Sequence, residues 1–158
     1  MEFFTIGVFN SKEQAFFDKL TENQIDTFCD IRQRRGVRGS EYSFVNSNRL
    51  QQKLKELQIN YKHILELAPT SEIRELQKVA DKNIGISKRV RNELGIVLKL
   101  AYVEKILESF DFDKFVSELK NIDSKKIVLF CVEEKHEACH RSIVANKLKT
   151  MGFKITNL

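Results

Sequence analysis

KIVLFCVEEKHEACHRSIVANKLKTMG, residues 126–152, is the stretch from which the fold is read. Ile127 to Val132 is an unbroken apolar run, expected as a buried strand, and Glu133 to Ala138 is a polar loop. Cys139, His140 and Arg141 then stand where a helix begins. Ile143, Val144 and Leu148 repeat at helical spacing, and Gly152 supplies a C-terminal glycine. A helix start leaves backbone N–H groups unpaired and carries partial positive charge, so it attracts anions and favours a thiolate. Arg141 adds a planar fork suited to carboxylate or phosphate. The loop is therefore a candidate anion pocket containing the thiol of Cys139. The alternative is a helix cap with a buried cysteine and a surface ion pair.

Working outward, Phe3 to Val8 is a short apolar run expected as the first strand. Ser11 and Gln14 have the spacing of a capping box, and Ala15, Phe16 and Leu20 continue it as a helix ending near Asn23. Ile25 to Ile31 is a second strand. It opens into Arg32-Gln33-Arg34-Arg35-Gly36-Val37-Arg38-Gly39-Ser40, which holds four arginines and two glycines. With Asp30 just before it, this segment is expected as a phosphate-binding edge, since arginine offers bidentate contacts and glycine lets amides approach an anion. A solvated basic turn is the plainer reading. Tyr42 and Phe44 either stack on a base or re-enter the core.

Ser47 to Leu57 is expected as a helix and Ile59 to Leu65 as a third strand, on which Tyr61 and His63 share one side. His63 there is a candidate acid, base or ligand, or a hydrogen-bonded structural histidine. Pro69 separates this strand from helical sequence around Ile73 to Ala80. Ser87 is expected to cap a long helix through about Phe110, with Lys88, Arg89 and Arg91 opposing the dipole in its first turn. An amphipathic helix at Phe112, Phe115, Val116 and Leu119 precedes the Ile127 strand, and Phe153 to Leu158 closes the chain as a last strand. The ordering predicts a three-layer α/β fold, in one domain over 1–158, with a mostly parallel sheet of about five strands.

The 158 residues, 42% hydrophobic and 31% charged, are ordinary for a globular protein, and the net charge of +5 favours polyanionic partners. No run approaches a membrane span or a signal peptide, so a cytoplasmic protein without membrane association is expected. Three cysteines do not form a disulfide framework.

Thr5-Ile6-Gly7, Asp30-Ile31-Arg32, Tyr61-x-His63 with Leu67 after it, and Cys131-x-Glu133 followed by Cys139-His140-Arg141 resemble the bacterial and archaeal family known as domain of unknown function 488. The resemblance covers nearly the whole chain and implies an intracellular α/β domain with no established reaction. Many members have Leu-Gly-Gly where this chain has Leu67-Ala68-Pro69-Thr70. A fainter similarity links the Asp-x-Arg strand end, the Val128 to Arg141 segment and the helix after it to rhodaneses, with either Cys131 or Cys139 at the reactive position.

Three functions follow from these residues. The first is an enzyme acting on a phosphorylated small molecule or nucleic acid. Arg32, Arg34, Arg35, Arg38, Tyr61, His140 and Arg141 would bind, while Cys139, Asp30, Glu133 and His63 carry the chemistry, with no cofactor. A carboxylate pair, Asp30 and Glu133, would suit glycosidic-bond chemistry. The second is a nucleic-acid-binding module built on the arginine loop and the basic start of the long helix. The third is zinc held by Cys131, His136, Cys139 and His140, residue types that suit the ion but lack paired short-spaced ligands. The first is the function these residues favour, with no metal.

Overall fold

The computed structural model describes residues 1–87 and 91–158. The chain runs β1 (Glu2–Ile6), α1 (Glu13–Glu22), β2 (Thr27–Asp30), α2 (Ser47–Glu56), β3 (Asn60–His63), α3 (Ser71–Asn83), α4 (Ile96–Tyr102), α5 (Phe112–Asn121), β4 (Lys126–Phe130), α6 (Arg141–Thr150) and β5 (Lys154–Asn157). The strands form one sheet in the order β3-β2-β4-β1-β5, every neighbouring pair parallel. The α/β class, the parallel sheet and its five strands agree with the sequence reading.

Parallel strands need crossovers that cover both sheet faces, which is why the strands read as near-continuous apolar runs. Side chains paired in register share a face: Phe28 lies opposite Val128, and Asp30 opposite Phe130. Phe16 of α1 packs edge-on against Phe28 and Phe130 on that face. On the other face Phe115 of α5 meets Phe3, and Lys147 of α6 lies over the Phe112 ring. Helices therefore flank the sheet as two outer layers, and one continuous apolar core runs through it.

Sheet order positions the site. From β1 the chain moves through β2 to β3 at one edge, and from β4 it moves to β5 at the other. The segments leaving the adjacent strands β2 and β4 thus diverge, and a crevice opens at their C-terminal ends, where ligands gather in open α/β sheets.

Several expected boundaries shift. β1, β2, β3 and β5 are each shorter than their apolar runs, because the flanking residues bond outside the ladder or turn away. The Ser11–Gln14 capping box does not form. Helix α1 starts after Lys12 with no side-chain cap, the Ser11 amide donates to the Val8 carbonyl, and the Gln14 amide reaches Asp18. The chain turns sharply here because the Val8 and Phe9 amides are both held by the Val132 carbonyl.

The expected helix from Ser87 to Phe110 is also revised. Lys88 and Arg89 lie outside the described residues, 91–95 are not helical, and α4 begins at Ile96. The Gly95 amide donates to Gln77 Oε1 at 2.8 Å and Arg91 is drawn into a buried network, so neither is free to start a helix. After Tyr102 the helix widens into a π-type turn over Val103–Leu107. No helix among the described residues is long and apolar enough to cross a membrane.

Candidate active site at the ends of β2 and β4

Asp30 ends β2 fully buried, which would be costly for a lone carboxylate. Arg32 folds back two residues later and chelates it, Nε to Oδ1 at 2.8 Å and Nη2 to Oδ2 at 2.7 Å, with the Arg32 amide also donating to Oδ1. Arg32 Nη2 reaches the Val45 carbonyl as well, and the guanidinium lies 4.5 Å above the Phe130 ring. The Tyr61 hydroxyl donates to Asp30 Oδ2 at 3.0 Å, and burial, reinforced by the Asp30 charge, pushes Tyr61 up to about 12. His63 Nε2 donates to the Arg32 carbonyl at 2.8 Å. Tyr61 and His63 do share a side, as expected, and brace the Asp30–Arg32 pair from beneath. Asp30 is thereby committed to holding Arg32. Arg32 Nη1, in a side chain only 3% exposed, has no partner among the described residues.

At the neighbouring strand end, Cys131 follows β4 directly, and its thiol donates to Glu133 Oε2 at 3.2 Å. Glu133 Oε1 meets Arg91 Nη2 at 3.4 Å; Arg91 also holds Asp81 at 2.8 Å and the Ala138 carbonyl at 2.8 Å. His140 places Nδ1 at 3.9 Å from Cys131 Sγ and 3.8 Å from Cys139 Sγ, while its Nε2 lies 3.1 Å from the Ile31 carbonyl. A carbonyl only accepts, so Nε2 carries a proton, and Nδ1 faces both sulfurs.

Burial alone would raise the Cys139 thiol. The neighbouring Cys131 thiol and the charges of His140 and Arg141 override it and bring the thiol well below its ordinary range. Burial likewise opposes the charge on His140, but the Cys139 sulfur and Glu133 outweigh it and raise the imidazole. Cys29 lies apart in the core, pushed up to about 12 by burial.

Arg141 differs from its expected use. It is 1% exposed and donates from Nη1 to the Glu133 carbonyl at 2.5 Å and from Nη2 to the Glu134 carbonyl at 2.7 Å. Its fork clamps the loop, so it offers no open face to an anion. Gly7 makes this possible, since a Cβ there would lie 1.9 Å from the Glu133 carbonyl oxygen. His136 is also elsewhere, its ring nitrogens facing Asn157 and Glu137.

The crevice is a cavity of about 870 Å³. Of the residues expected to form the site, Arg32, Arg34, Arg38, Glu133 and His140 line it; Asp30, Arg35, Tyr61, His63, Cys139 and Arg141 do not. Cys131 rather than Cys139 is the thiol at its wall. Helix α3 contributes Arg74, Lys78 and Lys82, a basic stripe at four-residue spacing that was legible in the sequence but was not read there. Thr70 caps this helix by accepting from the Ile73 amide at 3.3 Å. Pro69 and Leu98 add apolar wall, and Tyr42 lines the cavity while packing on Phe9 rather than standing free to stack.

Fold and cavity together define an α/β domain with a basic crevice at its sheet switch point and a thiol, a carboxylate and an imidazole at the wall. The chain belongs to the family described as domain of unknown function DUF488, which it matches over residues 12–148. No curated protein and no solved structure matches it.

Proposed function

We propose that the protein is an enzyme acting on a phosphorylated ligand, of nucleotide size, bound in the crevice between β2 and β4. The observation that carries this reading is Arg32 Nη1: a buried guanidinium nitrogen without a partner among the described residues, on a cavity wall that also presents Arg34, Arg38, Arg74, Lys78 and Lys82. A buried donor left unsatisfied costs about 1–3 kcal/mol, which an anionic oxygen would recover. Arg74 Nε likewise has no partner among the described residues, and Arg74 lines the same cavity. The volume, about 870 Å³, falls within the usual size of ligand clefts, and the apolar wall suits a planar group beside the phosphate. The reacting edge consists of Cys131, Glu133 and His140, which line the cavity together and can hold or move a proton.

The test is calorimetric binding of inorganic phosphate, nucleoside monophosphates and short oligonucleotides to the full chain. Arg74 is partly buried and Lys78 exposed, and neither belongs to the apolar core, so Arg74→Ala and Lys78→Ala leave that core alone. Each should weaken binding roughly tenfold or less, and binding should weaken with salt. Turnover of a bound compound should fall at least a hundredfold in Glu133→Gln. Unchanged affinity in both lysine and arginine variants would remove the reading. Affinity that grows with oligonucleotide length, without turnover, would assign the crevice to a nucleic-acid-binding module instead.

A further inference from the structure

The wall of the crevice contains a second arrangement that anion binding does not use. Cys131 Sγ, Cys139 Sγ and one nitrogen of His140 all lie within 4.8 Å of one another, and all three residues are buried. The Cys–His distances, 3.9 and 3.8 Å, are close to what a tetrahedral zinc ion imposes. Bonds of about 2.3 Å to sulfur and 2.0–2.1 Å to nitrogen put S···N near roughly 3.5 Å and S···S near roughly 3.8 Å. The two S···N distances need to shorten by only a few tenths of an ångström, and the sulfurs, within 4.8 Å of each other, need to close by about 1 Å or less.

Orientation supports the same use. His140 is held by its Nε2 donating to the Ile31 carbonyl, the outer contact that typically orients a ligating histidine, and this turns Nδ1 to the sulfurs. Cys139 and His140, adjacent in sequence, converge because Cys139 sits in extended backbone just before the α6 N-cap. His136 takes no part. We infer that Cys131, Cys139 and His140 bind a zinc ion through two thiolates and an imidazole.

Two thiolates cancel the charge of the ion, and the protons that the two sulfurs and the ligating imidazole nitrogen held before binding pass to solvent, so the loaded site buries no net charge. Three protein ligands leave a fourth position, the pattern of a catalytic rather than a structural zinc. Cys131 and His140 line the crevice while Cys139 does not, which places the open position on the crevice side. Glu133, whose Oε2 is 3.2 Å from Cys131 Sγ, stands at that edge as the group to take a proton from a zinc-bound water. Metal binding stands on the three donors alone; only the use of the fourth position leans on the function proposed above.

The experiment uses the full chain, stripped with a chelator under reducing conditions and titrated with zinc against a chromogenic competitor, then with cobalt for its absorption spectrum. One zinc per chain and a cobalt spectrum with thiolate charge-transfer bands are expected. Cys131→Ser, Cys139→Ser and His140→Gln should each weaken zinc at least a hundredfold, whereas Cys29→Ser and His136→Gln should keep one ion per chain. Because a buried variant can misfold, the wild-type cobalt spectrum stands as an independent arm: an octahedral, thiolate-free spectrum overturns the inference. So does wild-type protein that takes up no zinc, or Cys139→Ser that binds as tightly as wild type. Arg74→Ala should bind zinc normally while losing phosphate affinity, so that failure of the anion reading and failure of the metal site remain separate results.

Discussion

Replacing Gly7 by alanine adds one methyl group, yet the structure gives it a large effect. The new Cβ would lie 1.9 Å from the Glu133 carbonyl oxygen and 2.9 Å from its carbon, and both are backbone atoms. Ordinary contact requires about 3.5 Å, so the carbonyl must retreat by more than about 1 Å. That breaks the bond from Arg141 Nη1, worth about 1.5–3 kcal/mol because its donor is charged. Arg141 is 1% exposed and cannot turn to water for a replacement. Further cost comes from displacing the Glu133 loop, while the lower chain entropy of alanine in the unfolded state returns about 0.4–1 kcal/mol. Gly7 is not among the residues with positive φ, so steric overlap rather than backbone strain is being tested. The net loss should be roughly 2–4 kcal/mol, a Tm lower by roughly 5–15 °C. Urea unfolding with an unchanged m-value is the assay. In an Arg141→Met background, where the bond is already gone, Gly7→Ala should cost at least about 1 kcal/mol less. A stability change within about 0.5 kcal/mol in the single variant would refute the close-approach argument.

Cys29 has a folded pKa of about 12 against the ordinary 9.0, so the folded state holds its proton more tightly. The associated stability is intact below about pH 9 and is lost as pH rises towards 12, on the order of 4 kcal/mol in full. Cys29→Ala should therefore show a shallower alkaline loss of stability than wild type, and parallel alkaline limbs would count against the assignment. Asp30→Ala leaves the Arg32 charge buried without its partner and should cost about 3–5 kcal/mol in urea unfolding; a loss under about 1 kcal/mol would mean that the pair does not hold the β2 end. Thr70→Ala removes the cap of α3 and should cost about 1 kcal/mol, with the far-ultraviolet circular dichroism of the native state little changed.

Much of the fold was legible because it is encoded locally. The apolar run at 127–132, the helical repeats of α2, α5 and α6, and the alternation of strand with helix each reflect whether a segment must bury one face or two. The long helix was revised for a nonlocal reason: Arg91 is held by Asp81 and Glu133 and the Gly95 amide by Gln77, each ten or more residues away in sequence. The basic stripe of α3 shows the reverse. Its spacing was visible, but its meaning required knowing which way the helix faces.

The sequence by itself determined the class of fold and the segments in which the chemistry resides, because apolar periodicity is a property of neighbouring residues. Tertiary structure decided which donors remain available. Sheet order sets β2 beside β4 and so brings Ile31 to His140, turning an imidazole towards two sulfurs. Packing commits Arg141 to backbone carbonyls and Asp30 to Arg32, while leaving Arg32 Nη1 unmatched among the described residues. A side chain has few hydrogen-bonding positions, and what they are spent on depends on partners that the fold alone brings within about 3 Å.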